Sequence, residues 1–293
     1  MLAPMSLWVR FNLLLAIALA LLCFVCGYAT RSALQSNAKQ EMAREAGLMI
    51  ESALATHAYT AAEIVPLLSE RMQTKFLPQS VPFYAATQNF LKLHEAHPEY
   101  SYKEAALNPT NPRDRATDWE ADLIQKFRND STTRELVGER DTPVGRSLYL
   151  ARPVRVGDDC LICHGSPSSA PATLIARYGG DNGFGWQNHE IVGAHVVSVP
   201  LEGAMARSEG AMRGVLLAIV LVALAVLLIV NGALYYLVIR PIRRMSAVAE
   251  KLSIGDDSAG EFPRGGSTEL DAFARSFGRL RTSLEKALKL LER

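Results

Sequence analysis

Gly214-Val-Leu-Leu-Ala-Ile-Val-Leu-Val-Ala-Leu-Ala-Val-Leu-Leu-Ile-Val-Asn-Gly-Ala-Leu-Tyr-Tyr-Leu-Val-Ile239 is a run of 26 residues without a charged side chain. At about 1.5 Å of rise per residue, a helix of that length crosses a hydrocarbon core of about 30 Å. Toward the N-terminus, Phe11 to Ala29 is a second uncharged run, of 19 residues. Two spans put both termini on one side of a membrane and leave Thr30 to Arg213, 184 residues, on the other. That length suits a single globular domain. The chain is therefore expected to divide into an N-terminus (1–10), a first membrane helix (11–29), a domain (30–213), a second membrane helix (214–239) and a C-terminal region (240–293).

Charge sets the orientation. Arg240, Arg243, Arg244 and Lys251 follow the second span with only Glu250 in opposition, which reads as cytoplasmic by the positive-inside rule. The first span is less decisive, because Arg10 precedes it while Arg31, Lys39 and Arg44 follow. A cleaved signal peptide is an alternative for that span, since Gly27-Tyr28-Ala29 is a small-x-small site, although the run exceeds the usual apolar core of about 7–15 residues. Cys23 and Cys26 inside it read as small apolar residues. Overall, 31 Lys and Arg against 30 Asp and Glu give no basic excess to suggest nucleic acid.

One pentapeptide in the domain carries chemistry: Cys160-Leu-Ile-Cys-His164. A C-x-x-C-H run is a c-type haem attachment site. One helical turn sets the two thiols under neighbouring pyrrole rings, and the adjacent imidazole reaches the iron as proximal ligand. With 4 Cys and 6 His in 293 residues, roughly 0.001 such runs arise by chance. Two other readings compete. A zinc site needs about four ligands, and no second Cys pair lies in the polar part of the chain. A thioredoxin-type dithiol belongs at a strand end in a βαβ unit, which the pattern lacks. One motif implies one covalent haem c per chain. Because such haem is attached outside the bacterial cytoplasmic membrane, the motif assigns 30–213 to the periplasm, in agreement with the charge argument.

Periodicity predicts a helix from Ser32 to about Thr74, continuing out of the first span and broken by Pro78 and Pro82, then a helix from Pro82 to His94. Tyr100 to Tyr102 starts an extended piece, a loop follows at Asn108 to Pro112, and Thr117-Asp-Trp-Glu120 opens a helix to Phe127 with a capping box. Ser147–Val154 and Glu190–Val199 read as strands on either side of the haem motif. Gly179 to Trp186 is glycine-rich but lacks the third glycine of G-x-G-x-x-G, so it reads as a turn. Helices on a small antiparallel sheet make the expected class α+β, of PAS-like type.

These residues also carry a resemblance. Ala58-Tyr-Thr60, Val81-Pro-Phe83, Glu104 to Pro112, Trp119-Glu120, Ala151-Arg-Pro153, Cys160 to Gly165, Tyr178-Gly179, Gly183-Phe-Gly-Trp186 and Gly193 to Pro200 occur in this order. Together they resemble the Tll0287-like (DUF3365) family of c-type haem sensor domains over most of residues 35–205. The resemblance implies a periplasmic, PAS-like, haem-containing sensor module between two membrane helices.

The C-terminal region resembles a HAMP domain. Pro241 follows the span, and Ile242, Met245, Ala249 and Leu252 repeat at spacings of 3, 4 and 3. Gly255-Asp256 begins a polar linker. Leu270, Phe273, Phe277, Leu280, Leu284, Ala287 and Leu291 then form a second seam. Two such helices with a second copy make a parallel four-helix bundle, hence a homodimer. A generic coiled-coil tail is the alternative.

The distal haem position stays open. His57 is the first candidate, Met49 and Met72 are possible thioether donors, and His94, His97, His189 and His195 are the remaining histidines. Arg152 is a candidate partner for a haem propionate or an ordinary surface arginine. Asp141, Asp158 and Asp159 read as residues of polar loops without a catalytic partner, and no enzyme activity is expected. The expected function is a membrane-bound sensor of redox state or of a small ligand such as a gas, whose signal passes through the second membrane helix to the HAMP region. With 54 residues after Ile239, its output would act in trans on a cytoplasmic partner. The alternative is a membrane-tethered monohaem c-type cytochrome that transfers electrons.

Overall fold

The computed structural model describes residues 6–254, 260–261 and 267–291. Two compact units divide the chain, one of Thr30–Met212 and the other of the segments that flank it. The elements in chain order are α1 (Leu7–Tyr59), α2 (Val65–Met72), α3 (Pro82–Ala96), β1 (Ser101–Ala106), α4 (Asp118–Asn129), β2 (Leu136–Thr142), β3 (Gly145–Arg155), α5 (Asp158–His164), α6 (Ala172–Tyr178), β4 (Ile191–Pro200), α7 (Glu202–Leu234), α8 (Arg240–Ser253) and α9 (Thr268–Leu291). The domain is mixed helix and sheet, as expected.

The sheet has the order β1-β4-β3-β2, with every pair antiparallel. Its centre is β4, Ile-Val-Gly-Ala-His-Val-Val-Ser-Val-Pro, buried at every position up to Val199. A strand covered on both faces has no solvent-facing side, hence its run rich in Val and Ile without polar alternation. On one face Leu148, Leu150, Val197 and Val199 pack against Ala38, Met42, Ala46 and Ile50 of α1. Those four recur every four residues, so they form one stripe on the helix. On the other face Ala105, Ala151, Ala194 and Val196 meet Leu123, Ile124 and Phe127 of α4. Truncating the fully buried Phe127 to alanine would cost about 3–5 kcal/mol. The capping box of α4 is present: Glu120 accepts the Thr117 N–H at 2.8 Å and also binds Lys103 Nζ at 2.7 Å.

Strand β2 was not anticipated. Its Leu-Val-Gly-Glu-Arg-Asp-Thr sequence is that of a charged edge strand, paired among the described residues with β3 alone, and charge on an edge blocks further pairing while weakening the alternation signal. Asp141 thus lies in this strand rather than in a loop, and Asp158 and Asp159 form the first turn of α5.

Both long helices loosen in the same way. A π-helical turn at Thr60–Ile64 precedes Pro66, and another at Tyr235–Ile239 precedes Pro241. Proline lacks the N–H for the preceding turn and its ring crowds the carbonyl four residues back, so the helix widens instead of stopping. The helical run therefore passes Pro66 and ends at Met72, ahead of Pro78 and close to the expected end near Thr74.

In the flanking unit, two helices are long and apolar enough to cross a membrane. Leu14, Phe24 and Ile229 are about 70% exposed (68%, 71% and 70%). A methyl group placed on Gly27 would lie 3.3 Å from Leu216, so the first apolar helix touches the second there. Helices α8 and α9 pack through Met245 and Ala274, flanked by Val248, Ala249, Leu252, Leu270 and Phe277. Ile242, Phe273 and Leu280 of the expected seams are exposed. The Gly255-Asp256 start of the linker lies outside the described residues.

Candidate functional site

Helix α5 begins after Gly157, and Asp158 and Asp159 occupy its first turn, where carboxylates complement the helix dipole. It carries Cys160, Cys163 and His164, so the expected one-turn spacing of the cysteines is realised. Both thiols are free and half-buried, and burial, with Cys160 nearby, raises the Cys163 pKa.

His164 closes the helix with its ring fixed on several sides. Its Nδ1 lies 2.7 Å from the carbonyl oxygen of Gly183, with the Thr110 hydroxyl farther away at 3.4 Å. A carbonyl only accepts, so Nδ1 carries the hydrogen and Nε2 presents a lone pair. Among the described residues, no hydrogen bond engages Nε2. Burial lowers the His164 pKa and the Gly183 carbonyl partly opposes it, which favours the neutral imidazole that a metal requires. Trp186 stacks on the ring with centroids 4.1 Å apart and planes at 12°. Backbone bonds clamp the same segments together: Gly185 N–H donates to Gly165 at 2.6 Å and Trp186 N–H to His164 at 3.2 Å.

Gly183 is required here twice over. Its φ is +81°, and a Cβ would stand 2.0 Å from Thr110 Oγ1 and 2.7 Å from the Thr110 backbone nitrogen. The glycine-rich stretch is a turn, as expected, but one whose carbonyl sets the tautomer of a histidine 19 positions away. Thr110, Gly183 and Trp186 were not singled out as site residues. Their only trace in the sequence was that two of the resembling blocks contain them.

The distal candidates lie in varied surroundings. His57 donates through Nε2 to Glu104 Oε1 at 2.7 Å, and its ring packs on Phe83 with centroids 4.4 Å apart. Glu104 also accepts a short hydrogen bond from the Tyr102 hydroxyl, which lies 3.1 Å from His195 Nδ1. These groups form a buried polar cluster between α1, α3, β1 and β4. Burial raises the Glu104 pKa, against the hydrogen bonds from His57 and Tyr102, and pulls His195 down to about 3. Met49 packs against the α1 side of the core, and Met72 Sδ accepts from Ser80 Oγ at 3.0 Å. His94 binds the Tyr100 carbonyl at 2.7 Å, and His97 lies 3.6 Å from Glu99. His189 has a left-handed backbone, φ 65°. Arg152 is engaged by Glu51 and, at 3.3 Å, by Glu135. Among the described residues, no group of three His, Cys, Asp or Glu converges as an ion site.

The model of the Tll0287-like family matches residues 35–200. The chain belongs to that family. A solved structure entitled the crystal structure of the cyanobacterial heme-protein Tll0287 is 20% identical, with a TM-score of 0.35, covering 39% of this chain and 69% of that one. No curated protein matches. In the Tll0287-like domain the matched segment contains α5, the Gly183–Trp186 turn and all four strands.

Proposed function

We propose that this Tll0287-like chain carries one covalent haem c on α5 and works as a membrane-bound, non-enzymatic sensor. The observation that carries the reading is His164: Nδ1–H bonded to a neutral carbonyl at 2.7 Å, a free Nε2, and two unpaired cysteines on the same helical turn. Cys160 and Cys163 would hold the porphyrin through thioethers and His164 would ligate the iron. When bound, the group supplies a one-electron couple and a site for a small ligand. The chain's own part is to orient His164 through Gly183, Thr110 and Trp186, and to keep its ring neutral.

The sensor reading rests on connectivity. Strand β4 ends at Pro200 and α7 starts at Glu202, so a shift in the central strand feeds directly into the helix that carries the second apolar run. In this reading residues 30–213 form a PAS-like domain in the periplasm, the apolar helices cross the cytoplasmic membrane, and α8 and α9 are the two helices of a HAMP domain. The exposed Ile242, Phe273 and Leu280 would meet a second copy in a homodimer, and output would pass in trans to a cytoplasmic partner. The test is maturation of the full chain in a host competent for cytochrome c assembly. We expect a pyridine haemochrome spectrum with one haem per chain, lost in C160A/C163A. A colourless wild-type protein overturns the proposal.

A further inference from the structure

Trp186 does more than cover the proximal imidazole. Its ring lies 4.1 Å from that of His164 at 12°, and its backbone is joined to the same residue through the 3.2 Å bond to the His164 carbonyl. Five residues later, at Ile191, the chain enters the central strand. The intervening segment is held at each step. Asn188 Nδ2 donates to Asp158 at the start of α5 at 2.6 Å. His189 N–H donates to the Val156 carbonyl and Val156 N–H to the Glu190 carbonyl, each at 2.9 Å. Arg128 of α4 binds the Ile191 carbonyl at 2.7 Å and Glu190 at 3.0 Å. The left-handed His189, φ 65°, turns the chain from the stacked tryptophan into the strand.

From this we infer that Trp186 is a positioning residue through which a displacement of His164 reaches β4, so that the domain is read out from its proximal side. A short segment hydrogen-bonded at both ends has little freedom to absorb a movement of the ring stacked on its first residue. By contrast, the buried cluster of His57, Glu104, Tyr102 and His195 ties α1 to β1 and β4 without a hydrogen bond to His164 among the described residues. This inference rests on the haem reading above and adds the route by which its state is reported.

Hydrogen exchange of the haem-loaded full chain, oxidised against dithionite-reduced, tests it. We expect amides of residues 187–200 to exchange at different rates in the two states, the difference to survive in W186F, which keeps a stacking ring, and to vanish in W186L at unchanged haem content. Persistence of the difference in W186L overturns the inference. So does a wild-type protein in which haem is bound but 187–200 does not respond, a result independent of whether W186L folds. Absence of covalent haem overturns the functional reading and this inference together, so the two failures are distinguishable by the haemochrome assay alone.

Discussion

His164 and the pair His57 and His195 are all substantially buried imidazoles, yet their surroundings differ in kind. His164 gives one nitrogen to a neutral carbonyl and keeps the other free of hydrogen bonds among the described residues. His57 has a carboxylate on Nε2, and His195 has a phenol on Nδ1 and the same carboxylate 3.9 Å away. The first arrangement fixes a tautomer and leaves a donor to spare, which is what a metal ligand needs. The second is a mutually bonded network whose members satisfy one another. Burial alone does not mark a ligand. What marks it is the identity of the partner on the far nitrogen.

The largest effect should come from breaking the network. Replacing Glu104, whose side chain is 5% exposed, with leucine strands His57, Tyr102 and His195, and should cost about 3–5 kcal/mol in denaturant unfolding of the full chain. A loss below about 1 kcal/mol would show that the cluster is not a unit. Acid sensitivity should come next. Below pH 6.5 an unfolded chain protonates this histidine, whereas folded His195 resists until about pH 3, so folding stability falls as pH drops through that window. His195→Gln should flatten that part of the stability profile; an unchanged slope would place the acid sensitivity elsewhere.

On the His164 side the expected effects are smaller and local. Gly183→Ala puts a methyl group 2.0 Å from Thr110 Oγ1 at a φ of +81°, and should cost about 1–3 kcal/mol while lowering covalent haem content, measured by haemochrome against total protein. Thr110→Val removes only the 3.4 Å contact and should change stability by less than about 1 kcal/mol, with haem content intact. If the two variants reversed order, Thr110 rather than Gly183 would be the residue that holds the imidazole.

Much of this was legible in the sequence, and the parts that were not share a cause. The apolar runs, the helix cap at Thr117, the central strand and the Cys160–His164 pentapeptide are local signals, carried by residues a turn or a pleat apart. The network joins residues 47 and 93 positions apart, and the clamp on His164 joins residues 54 and 19 positions away. Only the folded sheet brings them together, so a glycine-rich turn read alone gave no sign that one of its carbonyls faces a histidine. Strand β2 escaped for a different reason: charged residues that protect an edge also erase the alternation by which strands are recognised. The end of the first helical run near Thr74 was legible from Pro78 and Pro82, whereas the π-helical turn by which α1 passes Pro66 into α2 left no periodic trace.

The most direct test of the central claim is acid–acetone extraction of purified full-length protein matured in a cytochrome c-competent host, followed by a pyridine haemochrome spectrum of the protein fraction. The account predicts that the colour stays with the polypeptide at one haem per chain and disappears in C160A/C163A. Colour that leaves with the solvent, or protein that was never coloured, would contradict it.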